Sequence, residues 1–377
     1  MMSIKLAFVT QFPIDVNRPH GGVEAVSVNL VSSLSQYSEY DIHVLTLCPD
    51  TEKTTIVYND NVTIHRIPKP SGSELKNAIG TSKKLIENKI ISLSPDLIHA
   101  HDTYGIMVKD LIIPKVFTVH GFIYGDTLLA NGKFKLLRSK VWEFIEKSSW
   151  AKQPNIISIS PYVRERLSGI TQANIFDIDN PISDAFFKLV REEVAGTIFT
   201  SAVIAPRKNI IQLVNAVALM VKKGIKVELR IAGGIVDQDY ANKLKDIIEV
   251  NHLQKNVTLL GRITTTEVQA ELCHASIYAL ASLEENSPMG IEEAMAVGVP
   301  VVTSNRCGMP YMVKNGETGF LINPFDAQDI ANKCERILTN PDLSKKMHDK
   351  SKKLALDLYH SERVAERTVA VYQEILM

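Results

Sequence analysis

Two glutamates, Glu285 and Glu293, are the residues of this chain whose type and spacing most clearly suggest chemistry. The sequence predicts a helix start between them, because Pro288 suits the first helical position and Gly298 can end the helix. The free N–H groups of a helix start bind anions. Carboxylates on either side of a bound phosphate can each accept hydrogen bonds from hydroxyl groups. A nucleotide sugar has this arrangement of hexose hydroxyls, diphosphate and ribose hydroxyls.

A purely structural explanation of these glutamates stays open. Acidic side chains in the first turn of a helix stabilise it through the helix dipole, and this would account for any single glutamate here. It accounts less well for the whole segment, in which Asn286 or Ser287 can cap the helix and an Ala/Met-rich stretch ends in glycine. Glu292 lies about 100° around the helix from Glu293, so we expect it to have only a structural role.

A pair of cations precedes a second predicted helix. Arg207 and Lys208 follow the apolar strand 198–203 and a proline turn, and the helix is expected to begin near Asn209. A cation at a strand end can stabilise the diphosphate that leaves when a glycosidic bond to it breaks. Basic residues are also common in surface turns, so this position alone does not decide between the two explanations.

Three histidines occur at or near the ends of predicted strands. His99 and His101 lie in the strand 97–101, and His120 ends the strand 116–120. As a set they lack a convincing metal-ligand shell, and a buried, hydrogen-bonded histidine is the commoner outcome. A neutral imidazole at a strand end can instead hydrogen-bond a sugar hydroxyl or a backbone group.

Glycines follow several predicted strands. Gly21 and Gly22 precede the predicted helix 25–34 and allow the backbone to approach an anionic group at the helix start. Gly261, followed by Arg262, ends the strand 257–260, where a ligand can also approach closely. Each signal is weak alone, because a glycine after a strand is more often only a turn.

The segment 131–145 interleaves basic and large apolar side chains. The basic residues are Lys133, Lys135, Arg138 and Lys140, and the apolar ones are Phe134, Leu137, Val141, Trp142 and Phe144. Such a segment can lie on an anionic membrane surface or receive a lipid-linked acceptor. An ordinary crossover helix with a solvated basic face is the alternative.

Parallel sheets are needed to position these residues. Short apolar runs alternate with amphipathic helical patterns, which is typical of strands joined by helical crossovers. The predicted strands are 6–9, 43–47, 97–101, 116–120, 156–160, 198–203, 227–232, 257–260, 277–280 and 299–302. They predict an α/β fold of two doubly wound, Rossmann-like domains, 1–185 and 186–360, followed by a C-terminal helix, 361–377. Ligands of such folds bind at the carboxyl ends of the strands, where the residues above occur.

Composition argues against several classes of protein. The chain has 377 residues, a formal net charge of zero, and 22% charged and 45% hydrophobic residues, so no basic field indicates a nucleic-acid partner. The Gly-x-Gly-x-x-Gly and Gly-Lys-Ser/Thr motifs of dehydrogenases and P-loop kinases do not occur. The cysteines are scattered along the chain, so we expect reduced thiols. A strand is predicted within a few residues of the start, and no run of about 18 apolar residues occurs. We therefore expect a cytoplasmic location, with or without contact at the inner membrane face.

The pattern Glu285-x7-Glu293 contains Pro288 and is followed by Ala-Met. This pattern resembles the donor-binding signature of the retaining glycosyltransferases of family GT4. The resemblance extends over nearly the whole chain, from the Gly-Gly loop to the last helix. It implies the GT-B fold, in which two Rossmann-like domains face a cleft and a C-terminal helix crosses back to the first domain. The second domain would hold a nucleotide-sugar donor and the first domain a glycan or lipid-linked acceptor.

The resemblance also implies roles for individual residues. Lys208 matches the family's phosphate-contacting lysine, but Ala202-Val203 stands where the family has a Gly-Arg pair, and Arg207 lies in a different register. His120 matches a histidine near the reacting sugar and would orient the acceptor without being the general base. The implied catalytic residues are His120, Glu285 and Lys208, and the implied donor-binding residues are Gly21, Gly22, Lys208, Gly261, Arg262, Glu285, Asn286, Ser287, Pro288, Met289, Gly290 and Glu293.

The expected activity is therefore the retaining transfer of a hexosyl-type sugar from a nucleotide-diphosphate sugar to an acceptor hydroxyl, in polysaccharide or glycolipid synthesis. In the front-face mechanism usually proposed for the family, the departing phosphate oxygen takes the acceptor proton. No cofactor or metal is expected, because no Asp-x-Asp motif is visible and Lys208 and helix dipoles can serve the diphosphate. A GT-B-like nucleotide-sugar epimerase and a non-catalytic nucleotide-sugar-binding module stay open as alternatives, and the sequence does not identify the sugar, the base or the acceptor.

Overall fold

A computed structural model describes residues 3–49, 54–129 and 134–377, which form two compact units. The first unit contains the described residues up to Leu128, together with Phe134–Pro181 and Ser361–Met377. The second unit contains Ile182–His360. The units thus divide between Pro181 and Ile182, whereas the sequence predicts a boundary at residue 185.

The first unit is built around a mainly parallel sheet with the strand order β3-β4-β2-β1-β5-β6-β7-β8. Its elements are β1 (Ile4–Val9), α1 (Gly22–Leu34), β2 (Tyr40–Cys48), β3 (Thr54–Asn59), β4 (Val62–Pro68), α2 (Glu74–Ile79), α3 (Thr81–Leu93), β5 (Leu97–His101), α4 (Tyr104–Val108), β6 (Lys115–Val119), α5 (Ile123–Leu129), α6 (Lys135–Trp150), β7 (Asn155–Ser158), α7 (Pro161–Leu167) and β8 (Asn174–Asp177). Only the β3–β4 hairpin is antiparallel among these described strands.

The second unit has a parallel sheet with the strand order β11-β10-β9-β12-β13-β14. Its elements are α8 (Asp184–Phe187), β9 (Thr197–Ser201), α9 (Ile210–Lys222), β10 (Glu228–Ala232), α10 (Gln238–Val250), β11 (Val257–Gly261), α11 (Thr265–His274), β12 (Ile277–Leu280), α12 (Met289–Val297), β13 (Val301–Ser304), α13 (Met309–Met312), β14 (Gly319–Ile322), α14 (Ala327–Leu338) and α15 (Pro341–Leu358). The chain ends with α16 (Ser361–Leu376), which belongs to the first unit.

The core of the first unit lies on both faces of its sheet. Along β1, Leu6 and Phe8 point to one face and Ala7 and Val9 to the other, and all four side chains are fully buried. A strand buried on both faces is typical of a parallel sheet covered by helices. Helix α16 packs against α1 on the Leu6 face, where it buries Tyr372.

Each of the ten predicted strands overlaps a strand of the structure, so the predicted α/β architecture is confirmed. The strands β3, β4, β8 and β14 were not predicted. The apolar run of β3, Ile56-Val57-Tyr58, has only three residues, whereas every predicted strand has four or more. The apolar runs of β8 and β14, Ile175-Phe176 and Phe320-Leu321-Ile322, are also shorter than four residues.

Candidate functional site

Helix α12 begins shortly after the carboxyl end of strand β12. Pro288 occupies the N-cap position with φ −72° and ψ 119°, and the helix starts at Met289. The predictions that Asn286 or Ser287 caps the helix and that Pro288 is its first residue are therefore wrong, because no side chain caps this helix. Gly298, in the left-handed conformation with φ 84°, ends the helix as predicted.

Ser287 and Glu292 form a hydrogen bond below this helix start. The Ser287 hydroxyl donates to the Glu292 carboxylate at 2.6 Å, and Glu292 is fully buried. The hydrogen bond explains why the Ser287 side chain does not cap α12. Glu292 therefore has the structural role that we expected.

Glycine at position 290 is required by the close packing of α12 on two strands. A Cβ atom at this position would lie 2.1 Å from Tyr278 Oη and 2.7 Å from Ser201 Oγ. These two hydroxyl oxygens lie 3.1 Å apart at the ends of β12 and β9. Packing thus explains Gly290 independently of any ligand.

Glu285 forms an ion-pair cluster with the two cations of the β9–α9 turn. Its carboxylate accepts a hydrogen bond from Lys208 Nζ, and Arg207 Nη1 lies 3.3 Å from the same oxygen, Oε1. The side chain of Glu285 is only 10% exposed and that of Lys208 14%. Burial alone would raise the pKa of Glu285, but the charges of Lys208 and Arg207 lower it below its ordinary value. Glu285 is therefore ionised at neutral pH.

Backbone contacts fix the turn that carries these cations. Arg207 Nη1 donates to the carbonyl of Glu284 at 2.6 Å, and the carbonyl of Arg207 accepts from the N–H of Leu283 at 2.8 Å. Asn209, in the left-handed conformation with φ 54°, donates from its side chain to the carbonyl of Ala281 at 3.2 Å. Sequence reasoning missed the positioning roles of Arg207 and Asn209, because their partners are more than seventy residues away in the chain.

Glu293 has a different environment from Glu285. It lies in the first turns of α12, and no hydrogen bond or ion pair engages its carboxyl within the described part of the chain. Burial raises its pKa to about 8, so it is protonated at neutral pH when no ligand is bound. A protonated carboxyl can both donate and accept hydrogen bonds, which suits a pair of neighbouring hydroxyls.

The predicted residues Gly261 and Arg262 lie at the end of β11, at the same edge of the sheet. Gly261 has φ 68°, and its carbonyl accepts from the N–H of Gly233 at 2.7 Å. A Cβ atom at Gly233 would lie 2.0 Å from the carbonyl oxygen of Ala202. The turns after β9, β10 and β11 are therefore tightly packed against each other, and Ala202 is part of that packing.

In the first unit, Gly21 and Gly22 form the start of helix α1. Gly21 is the N-cap in extended conformation, and a Cβ atom there would meet nothing within 4 Å. Glu24 accepts from the N–H of His20 at 2.6 Å and so holds the preceding loop. Neither packing nor backbone conformation requires glycine at position 21.

The predicted histidines form a buried polar cluster in the first unit. His99 Nδ1 lies 2.5 Å from Tyr372 Oη, and His99 Nε2 lies 2.7 Å from Thr118 Oγ1. His101 Nδ1 lies 2.8 Å from His120 Nε2, and the rings of both pairs, His99 with His101 and His101 with His120, are stacked.

All three rings of this cluster are neutral. Burial is the largest cause and lowers the pKa of His99 to about 3, that of His120 to about 4, and that of His101 well below its ordinary value. In the pair of His101 and His120, one ring therefore donates the shared proton and the other accepts it. Sequence reasoning missed the contribution of Tyr372, which comes from α16.

Within residues 3–49, 54–129 and 134–377, no group of three or more His, Cys, Asp or Glu side chains could hold a metal ion. No helix of these residues has the length and apolar character needed to cross a membrane. The cysteines Cys48, Cys273, Cys307 and Cys334 are free thiols, as predicted.

The basic and apolar segment is described from Phe134 onwards, and residues 131–133 lie outside the described chain. Helix α6 buries Ser139, Trp142 and Glu146 against the first unit. Its large apolar side chains Leu136, Leu137 and Phe144 are 68%, 63% and 75% exposed. The helix thus has apolar surface on its outer side as well as on its inner side.

Comparisons with known proteins match the chain in two parts. A family model described as "Glycosyltransferase Family 4" matches residues 20–185, and one described as "Glycosyl transferases group 1" matches residues 182–354. An uncharacterized glycosyltransferase of Methanocaldococcus jannaschii is 26% identical over 94% of this chain and 95% of its own length. The MMP alpha-(1->4)-mannosyltransferase of Mycolicibacterium hassiacum is 24% identical over 82% of each chain.

Solved structures match the fold over almost its whole length. Sucrose-phosphate synthase from Thermosynechococcus elongatus superimposes with a TM-score of 0.84 at 18% identity and covers 99% of both chains. Anabaena HepE in complex with UDP-glucose superimposes with a TM-score of 0.74 at 15% identity, over 98% of this chain and 100% of the other.

Proposed function

Because this chain belongs to the group 1 glycosyltransferases of family 4, which have the GT-B fold, we propose that it transfers a hexosyl group from a nucleotide-diphosphate sugar to an acceptor hydroxyl with retention of configuration. The product would be a polysaccharide or glycolipid. The observation that carries this proposal is the ion pair of Lys208 and Glu285 beside the start of helix α12.

In the proposed complex, the diphosphate lies between Lys208 and the N–H groups at the start of α12. These groups stabilise the negative charge that develops when the bond from the sugar C1 to the phosphate oxygen breaks. Glu285 accepts hydrogen bonds from hexose hydroxyls, and Glu293 binds the ribose hydroxyls. Arg207 stabilises the ionised form of Glu285 and so keeps it an acceptor when Lys208 turns to the phosphate.

The first unit supplies the acceptor side of the proposed reaction. As the acceptor oxygen bonds to C1, its proton passes to the departing phosphate oxygen, so no protein base is required. The neutral His120 donates or accepts a hydrogen bond with a sugar hydroxyl, for which its lowered pKa of about 4 suits it. The backbone of Gly21 and Gly22, at the start of helix α1, can bind an anionic group. The charges of Lys208 and the helix start make a bound metal unnecessary in this proposal.

A two-step experiment tests the proposal. Thermal unfolding of the full chain is first measured with a panel of UDP-, GDP- and ADP-sugars, since a ligand that binds the native state raises its stability. The UDP and UDP-glucose complexes of the HepE structure make UDP-sugars the first choice. The stabilising donor is then incubated with and without an acceptor extract, and the anomeric configuration of the product is read by NMR. Release of nucleoside diphosphate only with acceptor is expected; isomerised nucleotide sugar without acceptor would indicate an epimerase instead.

We further propose that the outer face of α6 binds an anionic membrane surface. Phe134, Leu137, Val141 and Phe144 are all exposed and, at about 100° per residue, follow one side of the helix. Arg138 and Lys140 flank this stripe on its two sides. Apolar side chains bordered by cations are the features with which a helix binds an anionic bilayer.

Flotation with phosphatidylglycerol-containing vesicles tests this contact. Phe144→Ser should weaken binding by roughly tenfold, because burying a phenylalanine contributes about 1.5–3 kcal/mol. Ile112→Ser removes an apolar side chain that is even more exposed but lies outside the stripe, and it should have no effect. Equal binding of both variants, or no flotation of the unmodified chain, would contradict the membrane contact.

A further inference from the structure

The first unit contains an open cavity of about 500 Å³, which no sequence pattern predicts. Every side chain that lines it belongs to the first unit. Its apolar wall includes Phe12, Tyr104, Met107 and Trp142, and His20 and Glu24 of the α1 loop also line it. A cavity of this size with aromatic walls can hold one monosaccharide-sized group.

Two polar groups in this cavity have no hydrogen-bond partner among the described residues. The Ser82 hydroxyl is buried, with 1% of the side chain exposed, and makes no hydrogen bond within the described residues. Asp102 makes no side-chain hydrogen bond there either, and its backbone is left-handed with φ 51°. A buried polar group without a partner costs free energy, and a residue held in a rare conformation often marks a binding site.

Three further polar side chains of the cavity are already engaged. The hydroxyl of Thr46 accepts from the N–H of Phe12 at 3.1 Å, and that of Tyr104 accepts from the N–H of Leu47 at 2.9 Å. The amide of Asn77 donates to the carbonyl of Pro70 at 2.8 Å. Ser82 and Asp102 lack such partners among the described residues, so a ligand can satisfy them.

The charges around the cavity disfavour an anionic ligand. Among the described lining residues there is no arginine, and the one lysine, Lys69, is paired with Glu74 at 3.2 Å. The carboxylates of Glu24 and Asp102 line the same space. Burial, followed by the charge of Asp126, raises the pKa of Asp102 to about 6, so the carboxylate still prevails at neutral pH.

We propose that this cavity binds the acceptor through a polyhydroxylated group that is uncharged or carries an amine, with Asp102 accepting a hydrogen bond from a hydroxyl or ammonium group and Ser82 contacting a second hydroxyl. Phosphorylated and carboxylated sugars are disfavoured, because the described lining residues include three carboxylates, Glu24, Glu74 and Asp102, and one lysine, Lys69. The identification of the bound group as the acceptor rests on the proposed transferase function, whereas the charge selection of the cavity does not.

Methionine-methyl NMR of the full chain tests the proposal, because Met107 lines the cavity. The resonance is assigned with Met107→Leu, and the probes are methyl α-D-glucopyranoside, D-glucosamine and D-glucose 6-phosphate. We expect the first two to shift the Met107 signal and the phosphate to bind about tenfold more weakly or not at all. Equal binding of the phosphate, or no shift of Met107 with any probe, would overturn the proposal.

Matched variants assign the effect to Asp102. Asp102→Asn should weaken glucosamine binding by about tenfold, since a hydrogen bond to a charged group is lost, while asparagine tolerates the left-handed backbone. Asp126→Asn removes a neighbouring charge outside the cavity and should leave binding within about twofold of the unmodified chain. Unchanged glucosamine affinity in a folded Asp102→Asn chain would refute the role of Asp102.

The donor response separates this proposal from the proposed function. If a nucleotide sugar still raises the unfolding temperature of Asp102→Asn while glucosamine binding is lost, both proposals stand. If no nucleotide sugar stabilises any variant but the cavity still selects glucosamine over the phosphate, the transferase proposal fails and the charge selection of the cavity survives.

Discussion

The histidine cluster of the first unit and the glutamate site of the second unit occupy equivalent places, the carboxyl ends of parallel strands, yet they satisfy their polar groups in opposite ways. The histidines are neutral: His99 is hydrogen-bonded to Thr118 and Tyr372, and His101 to His120, while His101 Nε2 has no partner in the described chain. Glu285 is ionised and is neutralised by two cations. The first arrangement holds parts of the fold together, whereas the second can exchange a protein cation for a ligand.

The difference follows from the free energy that each buried group would cost without its hydrogen-bond or ion-pair partner. A neutral imidazole that loses a partner leaves one unsatisfied hydrogen bond, which costs about 1–3 kcal/mol. A buried carboxylate that loses its cation leaves an uncompensated charge, which costs more. Lys208 can leave Glu285 for a phosphate because Arg207 still lies 3.3 Å from the carboxylate. The pairing of two cations with one glutamate is thus consistent with a binding site more than with a stabilising contact.

The largest effect is expected at Lys208. Lys208→Ala removes the cation proposed to stabilise the leaving diphosphate and should lower kcat by roughly 10²–10³-fold, the usual effect of removing one charge-stabilising group. Initial rates of nucleoside diphosphate release measure it. Lys223→Ala, which breaks the surface pair with Glu335, is the matched control and should keep full activity. Equal activity of the two variants would make the Lys208–Glu285 pair a structural contact like any other.

The second-largest effect is expected at Glu293, and it distinguishes a neutral carboxyl from a charged one. Because burial raises the pKa of Glu293 to about 8, glutamine resembles the form present at neutral pH. Glu293→Ala should greatly weaken or abolish donor binding in calorimetry while the fold stays intact. Glu293→Gln should retain most of the affinity, within about tenfold.

Two results would change this picture of Glu293. Donor affinity that is unchanged in Glu293→Ala would remove the residue from the site. A loss in Glu293→Gln as large as in Glu293→Ala would mean that the bound donor requires the ionised carboxylate, and the two glutamates would then act alike.

Much of the fold, and part of the site, could be predicted from the sequence. Apolar runs bounded by turns located ten strands, and thereby the sheet edge at which ligands of doubly wound folds generally bind. Short sequence patterns predicted a structural feature correctly where its cause lies within a few residues, as for Gly298, which ends α12. They failed at Ser287, since its hydroxyl bonds Glu292 inside the helix and leaves the cap position to Pro288.

Contacts between distant parts of the chain could not be predicted. The ion pair of Lys208 with Glu285 joins residues 77 apart, and the bond of His99 with Tyr372 joins residues 273 apart. Neither periodicity nor composition carries information about such pairs. Arg207 shows the consequence: its different register left its role open, whereas in the structure it pairs with Glu285.

The smallest effect is expected in the histidine cluster, where two tyrosines provide a matched pair of variants. Tyr372 and Tyr40 are both fully buried, with ring centroids 5.8 Å apart, but only the Tyr372 hydroxyl bonds His99, while that of Tyr40 has no partner in the described chain. Tyr372→Phe should lower the free energy of unfolding by about 1–3 kcal/mol, and Tyr40→Phe should leave it unchanged or raise it. Urea denaturation measures both. A similar loss of unfolding free energy in the two variants would mean that ring packing, and not the polar cluster, fixes α16 to the sheet. The contrast between a cluster that stabilises the fold and a site that binds ligand would then lose its basis.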